Sequence, residues 1–164
     1  MVVVDIQNAS EADSVPAEND IHCWVSSALA GQRDEAEVSV RIVDREEIQA
    51  LNAQYRHQNK PTNVLSFPAD LPESLGLSLL GDIVVCAPVV QMEAQAQGKT
   101  IQAHWAHMLI HGTLHLLGYD HEEENEAQRM EALETDIITA LGFPPPYLTD
   151  NSDDIINTLK PPSK

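Results

Sequence analysis

Three histidines are spaced as ligands for one metal ion. They stand in His111-Gly112-Thr113-Leu114-His115-Leu116-Leu117-Gly118-Tyr119-Asp120-His121, at n, n+4 and n+10. On a helix the first two share a face, because four residues advance about 400°, some 40° past a full turn. Gly118 suits the helix end, where a left-handed residue lets the chain reverse and carry His121 back towards the pair. Three imidazoles meeting at a point suit a divalent metal with an open fourth position, as in catalytic zinc sites. Zinc is the first expectation and nickel the alternative, since affinity order alone does not choose between them. Such an ion lowers the pKa of a bound water and polarises a substrate oxygen.

His104 and His107 precede the set on the same helix and are rivals for it. Because His111, His115 and His121 form a complete facial set, His104 and His107 read as satisfied core histidines. The spacing of the set is shared with the metzincin peptidases. Those enzymes carry a glutamate base directly after the first histidine; here that position is Gly112. A metzincin-like peptidase is therefore the lesser reading.

The elements that must position these groups follow from periodicity. Residues 2–6 are β-branched and apolar, a strand. Ile21, Trp24, Val25, Ala28 and Leu29 mark a helix over 17–30. Glu37 to Val43 alternates as a half-buried strand. Asp44 is placed to cap a helix running to about Tyr55. Asn63 to Phe67 is a strand, 69–78 a loop, and Leu79 to Cys86 a buried strand. Ala87-Pro88 opens a helix that ends near Gly98. Thr100 caps the next, which is apolar nearly all round and so should be central. A last helix runs from about Glu122 to Leu141, with Ala127, Met130, Leu133, Ile137, Ile138 and Leu141 inward and Asp120 before it as a cap. The order β-α-β-α-β-β-α-α-α predicts an α+β (mixed α/β) fold. About four strands would pack with about five helices, the metal on the central helix and the turn after it.

A chain of 164 residues suits one domain. We read residues 1–148 as a single hydrolase domain and 149–164 as a polar, flexible tail. Cys23 and Cys86 read as reduced core residues. No basic leader or apolar run near 20 residues stands out, so a soluble cytoplasmic protein with no membrane partner is expected. The formal net charge of −17 argues against broad binding to nucleic acid. Yet four of nine basic residues, Arg41, Arg45, Arg56 and Lys60, fall between positions 41 and 60. They predict a local cationic groove beside the metal, lined by Arg56 and by some of the other three.

Three segments together resemble the YbeY family of bacterial endoribonucleases. They are the histidine stretch, Tyr55-Arg56 with Lys60-Pro61-Thr62-Asn63-Val64-Leu65-Ser66-Phe67-Pro68, and Leu80-Gly81-Asp82-Ile83-Val84-Val85-Cys86. The resemblance spans roughly residues 2–147. It implies a metal-dependent, single-strand-specific endoribonuclease acting in 16S rRNA 3′-end maturation, ribosome biogenesis and ribosome quality control. It implies His111, His115 and His121 as metal ligands and Arg56 as important for activity. The implied partners are single-stranded ribosomal RNA, the small ribosomal subunit and assembly factors, with no DNA. The chemistry agrees, since phosphodiester cleavage needs a Lewis acid and cations for developing charge. Thr62, Asn63 and Ser66 are read either as donors to RNA or as strand caps. Asp82 is read either as a turn cap or as the carboxylate behind a ligand histidine. A non-catalytic assembly factor with a structural metal is the remaining alternative.

Overall fold

The structure, a computed structural model, describes residues 1–69, 78–120 and 122–147. His121, most of the 69–78 loop and the tail from 149 lie outside the described residues. The elements follow the expected order. They are β1 (Val2–Asn8), α1 (Glu18–Leu29), β2 (Ala36–Val43), α2 (Arg45–Arg56), β3 (Val64–Pro68), β4 (Leu79–Cys86), α3 (Ala87–Gln97), α4 (Ile101–Leu116) and α5 (Glu124–Ala140). The fold is α+β with a four-stranded mixed sheet of order β1-β2-β4-β3. β1, β2 and β4 run parallel, and β3 lies antiparallel on β4.

Strand alternation gives the sheet two different faces. Val38, Val40, Ile42, Ile83 and Val85 enter the larger core with Trp24, Trp105, Leu109 and Leu114. Val43, Leu65, Val84 and Cys86 face the other way, against Ile48 of α2 and Val89 of α3. Helix α4 touches α1, α3, α5, β3 and β4. That explains its apolar circumference and makes it the central helix. Thr100 caps it, its Oγ1 accepting from the Ala103 N–H at 3.1 Å.

Three local expectations need correction. Asp44 occupies the cap position of α2 without capping it. Its carboxylate instead accepts from Ser10 Oγ at 2.5 Å and from the Glu11 N–H at 3.2 Å, tying two loops together. Cys23 is exposed while Cys86 is buried, because the stripe of Ile21, Trp24 and Val25 turns position 23 outward. Glu123, not Asp120, holds the N-cap position of α5.

β4 meets the last turn of α4 through Gly81, whose φ of 147° is in the region that favours glycine. A Cβ there would lie 2.3 Å from the Phe67 carbonyl oxygen and 2.9 Å from Leu116 Cδ2. Gly81→Ala is expected to cost about 3 kcal/mol, from backbone strain plus a displaced strand, read as a lowered urea midpoint.

Candidate metal centre

Steps of three, four and four residues bring His104, His107, His111 and His115 into a row along α4. Successive ring centroids are 6.2, 6.2 and 4.6 Å apart. The closest pair converges furthest, with His111 Nε2 and His115 Nε2 3.1 Å apart. Two imidazole nitrogens bound to one tetrahedral zinc stand about 3.3 Å apart, so the pair fits such an ion within a few tenths of an ångström. Both side chains are half-buried, as an open site requires.

Behind His111 lies a carboxylate that sequence reasoning passed over. The Glu134 side chain is fully buried. Its Oε2 accepts from His111 Nδ1 at 2.5 Å. Its Oε1 accepts from His107 Nε2 at 3.0 Å and from the Tyr147 hydroxyl. The signal was available: Met130, Glu134 and Ile138, one residue in four, are the buried positions of α5. An acid in the middle of an inward stripe, facing a histidine-bearing helix, seldom lacks a partner.

Burial opposes ionisation of Glu134, but hydrogen bonds from His107 and His111 outweigh it and hold the pKa below the usual carboxylate range. Burial pushes His107 down to about 4, despite the hydrogen bond and charge of Glu134. Burial and the Glu134 charge raise the Tyr147 phenol. The sign for stability is the same for the acid and the imidazole. Exposed imidazole protonates near pH 6.5, so between pH 6.5 and 4 the unfolded chain binds more protons than the folded one. Glu134 adds stability above its unfolded pKa that is lost on further acidification. Metal-free protein is expected to lose on the order of 3 kcal/mol from His107 alone between pH 7 and 4. Urea unfolding in chelator at the two pH values checks this, and His107→Leu should flatten the dependence.

His107, His111 and Glu134 also form a group whose potential ligand atoms lie within 4.8 Å of one another, so a His-His-Glu set is able to hold a metal. His111 thus belongs to two groupings, through Nδ1 to Glu134 and through Nε2 to His115. His104 behaves as the satisfied core histidine expected. Its Nε2 bonds Glu93 Oε1 at 2.8 Å, and Lys99 Nζ donates to its Nδ1 at 3.2 Å. His107 is equally buried but shares Glu134 with His111, a link its spacing did not disclose.

Gly112 faces the sheet. A Cβ there would lie 3.0 Å from Ile83 Cγ2 and 3.2 Å from Ser66 Oγ. Ser66 Oγ donates to the Gly112 carbonyl at 3.0 Å. The position after the first histidine is therefore a packing contact, and no base could project from it into the site. Asn63 acts as a strand cap, its Oδ1 accepting from the Val64 N–H at 2.6 Å while its amide donates to Glu93. Asp82 is exposed and shares the Val84 face of β4, away from Ile83 and α4. Among the described residues it backs no histidine, whereas Glu134 backs His111.

The expected cationic groove is corrected in part. Arg41 projects from the sheet face opposite α4, by the alternation of β2. It pairs with Glu47 through two hydrogen bonds of 2.6 and 3.0 Å. Arg45 contacts Met92 Sδ at the start of α2, about 16 Å of helix from Arg56. Arg56, at the other end of α2, and Lys60, in the loop that follows, are both exposed. That end is fixed by the Tyr55 ring on Phe67, with centroids 5.2 Å apart, and by Asn52 Nδ2 donating to the Lys60 carbonyl at 2.9 Å.

Fold and site together define an α+β protein with a helix-borne histidine–carboxylate group able to hold a divalent ion. A family model described as Endoribonuclease YbeY matches residues 5–142, so the chain belongs to the YbeY endoribonuclease family. Hydrolysis of RNA, in ribosomal RNA maturation, is thereby supported at the level of the family. The chain is also similar to the solution structure of TM1509 from Thermotoga maritima. Identity is 25%, the TM-score is 0.57, and the match covers 87% of this chain and 92% of that one. Among the described residues no helix is long and apolar enough to cross a membrane.

Proposed function

We propose that the chain is a metal-dependent endoribonuclease of single-stranded ribosomal RNA, with His111, His115 and His121 as ligands for one divalent ion. Zinc is preferred and nickel is the alternative. Its task would be maturation of the 16S rRNA 3′ end, with roles in ribosome biogenesis and quality control. It would act in the cytoplasm on the small ribosomal subunit beside assembly factors. The observation that carries the reading is the convergence of His111 Nε2 and His115 Nε2 at 3.1 Å, in a chain of an endoribonuclease family.

A divalent ion held there supplies Lewis acidity towards a phosphodiester. His111 and His115 hold it on a helix too tightly packed to shift, which keeps the site preorganised. Arg56 meets the non-bridging oxygens and balances charge that grows at the transition state. Among the described residues Arg56 makes no hydrogen bond or ion pair that its loss would break. Arg56→Ala is therefore expected to leave stability unchanged and lower kcat/KM on RNA about 10- to 100-fold, the worth of one charge-assisted hydrogen bond.

Metal analysis of native protein, paired with cleavage assays on single-stranded RNA, duplex RNA and unstructured peptide, tests the reading. One divalent ion per chain and chelator-sensitive cleavage of single strands are expected. Absence of bound metal, or cleavage of peptide without cleavage of RNA, would overturn it. A 2′,3′-cyclic phosphate at the product end would identify the ribose 2′-OH as nucleophile.

A further inference from the structure

Both oxygens of Glu134 are committed, one to His111 Nδ1 and the other to His107 Nε2 and the Tyr147 hydroxyl. The donors come from α4 and from the segment after α5, so the carboxylate is gripped from two sides and cannot turn. Neutral imidazole carries one N–H, and the partner that accepts it sets which nitrogen bears the proton. A carboxylate 2.5 Å from His111 Nδ1 draws the proton there and leaves the lone pair on Nε2. That nitrogen is the one beside His115 Nε2. The clamp has its own cost. His107 keeps Nε2 on Glu134 while its Nδ1 stays buried without a partner among the described residues.

We propose that Glu134 is a positioning residue, which selects the tautomer and ring orientation of His111 that present Nε2 to a metal, while His107 and Tyr147 fix its other oxygen. The proposal rests on the metal reading of His111 and His115 given above. In this arrangement Glu134 backs the ligand His111 instead of binding the ion, because its side chain is fully buried and both oxygens already accept hydrogen bonds. The competing His107-His111-Glu134 set is the outcome the last arm of the test separates.

The test begins with metal-free protein labelled with 15N at histidine, at about pH 8. Two-bond proton–nitrogen correlations then report which nitrogen of each ring is protonated. In the wild type the His111 proton is expected on Nδ1. Zinc affinity is then measured by competition with a chromophoric chelator for the wild type, Glu134→Gln, Glu134→Leu, His107→Ala and His115→Ala, each checked for fold by circular dichroism. Glu134→Leu fills the space without an acceptor. It should lose the Nδ1–H preference and bind zinc about 10- to 100-fold more weakly. Glu134→Gln keeps a carbonyl oxygen for Nδ1–H and should stay within a few-fold of wild type.

A wild-type His111 proton on Nε2 overturns the proposal, whether or not Glu134→Leu folds. So does a folded Glu134→Leu with unchanged tautomer and affinity. If His115→Ala binds zinc as tightly as wild type, the underlying metal reading has failed instead. If His107→Ala abolishes zinc binding while His115→Ala does not, Glu134 is a ligand and the positioning role is overturned.

Discussion

His115→Ala is expected to lower cleavage of single-stranded RNA by about 10³-fold or more and to release the metal. Loss of a Lewis acid removes several kcal/mol of transition-state stabilisation, and about 4 kcal/mol corresponds to that factor. The fold should survive. His115 is half-buried in the last turn of α4, and alanine is the strongest helix former. The helix is held instead by Trp105, Leu109, Ile110 and Leu114, all fully buried. Three measurements on one variant separate the readings: metal content, RNA cleavage and the unfolding midpoint. A folded variant with activity within tenfold of wild type would sink the metal-dependent mechanism. A variant that unfolds would point to a structural metal and to the assembly-factor reading.

Gly112→Glu should be the most destabilising single change at the site, costing about 4 kcal/mol or more. It restores the residue that metzincins carry after the first histidine, yet it should not create a peptidase. The new Cβ would stand 3.0 Å from Ile83 Cγ2 and 3.2 Å from Ser66 Oγ. The carboxylate would follow it into the packed interface between α4 and the sheet, away from water and without a cationic partner. Gly112→Ala separates volume from charge. Its methyl needs only a few tenths of an ångström from Ile83 and Ser66, and the gain in helix propensity, about 1 kcal/mol, offsets that crowding. Urea denaturation of both variants decides the point. A Gly112→Glu protein as stable as wild type would mean that position 112 is not the sheet contact described above.

Much of the scaffold was legible because periodicity is local. The two-residue period of β2, the helical stripe of Ile21, Trp24, Val25, Ala28 and Leu29, and the Thr100 cap each depend on a few neighbouring residues. So does the pairing of His111 with His115, since a step of four on a helix needs no tertiary information. The all-round apolar character of α4 likewise announced its central place. The errors came where a side chain chose between local and distant partners. Asp44 was placed as a cap from its position, but Ser10 and the Glu11 N–H compete for its carboxylate. Arg41 is one of three optional groove residues by its neighbours in sequence, but strand alternation turns it to the face where Glu47 stands.

By itself, then, the sequence determined the order of elements, the helix that carries the histidines and, through three motifs, the family. Tertiary structure alone decided which carboxylate stands behind them. Asp82 lies in a motif, yet β4 points it away from α4. Glu134 lies in no motif, yet the packing of α5 on α4 sets it against His107 and His111 across 27 and 23 residues of chain. Spacing along one helix constrains only that helix; the partner of a buried imidazole is fixed by which helix closes over it, and that is settled by core packing between distant segments.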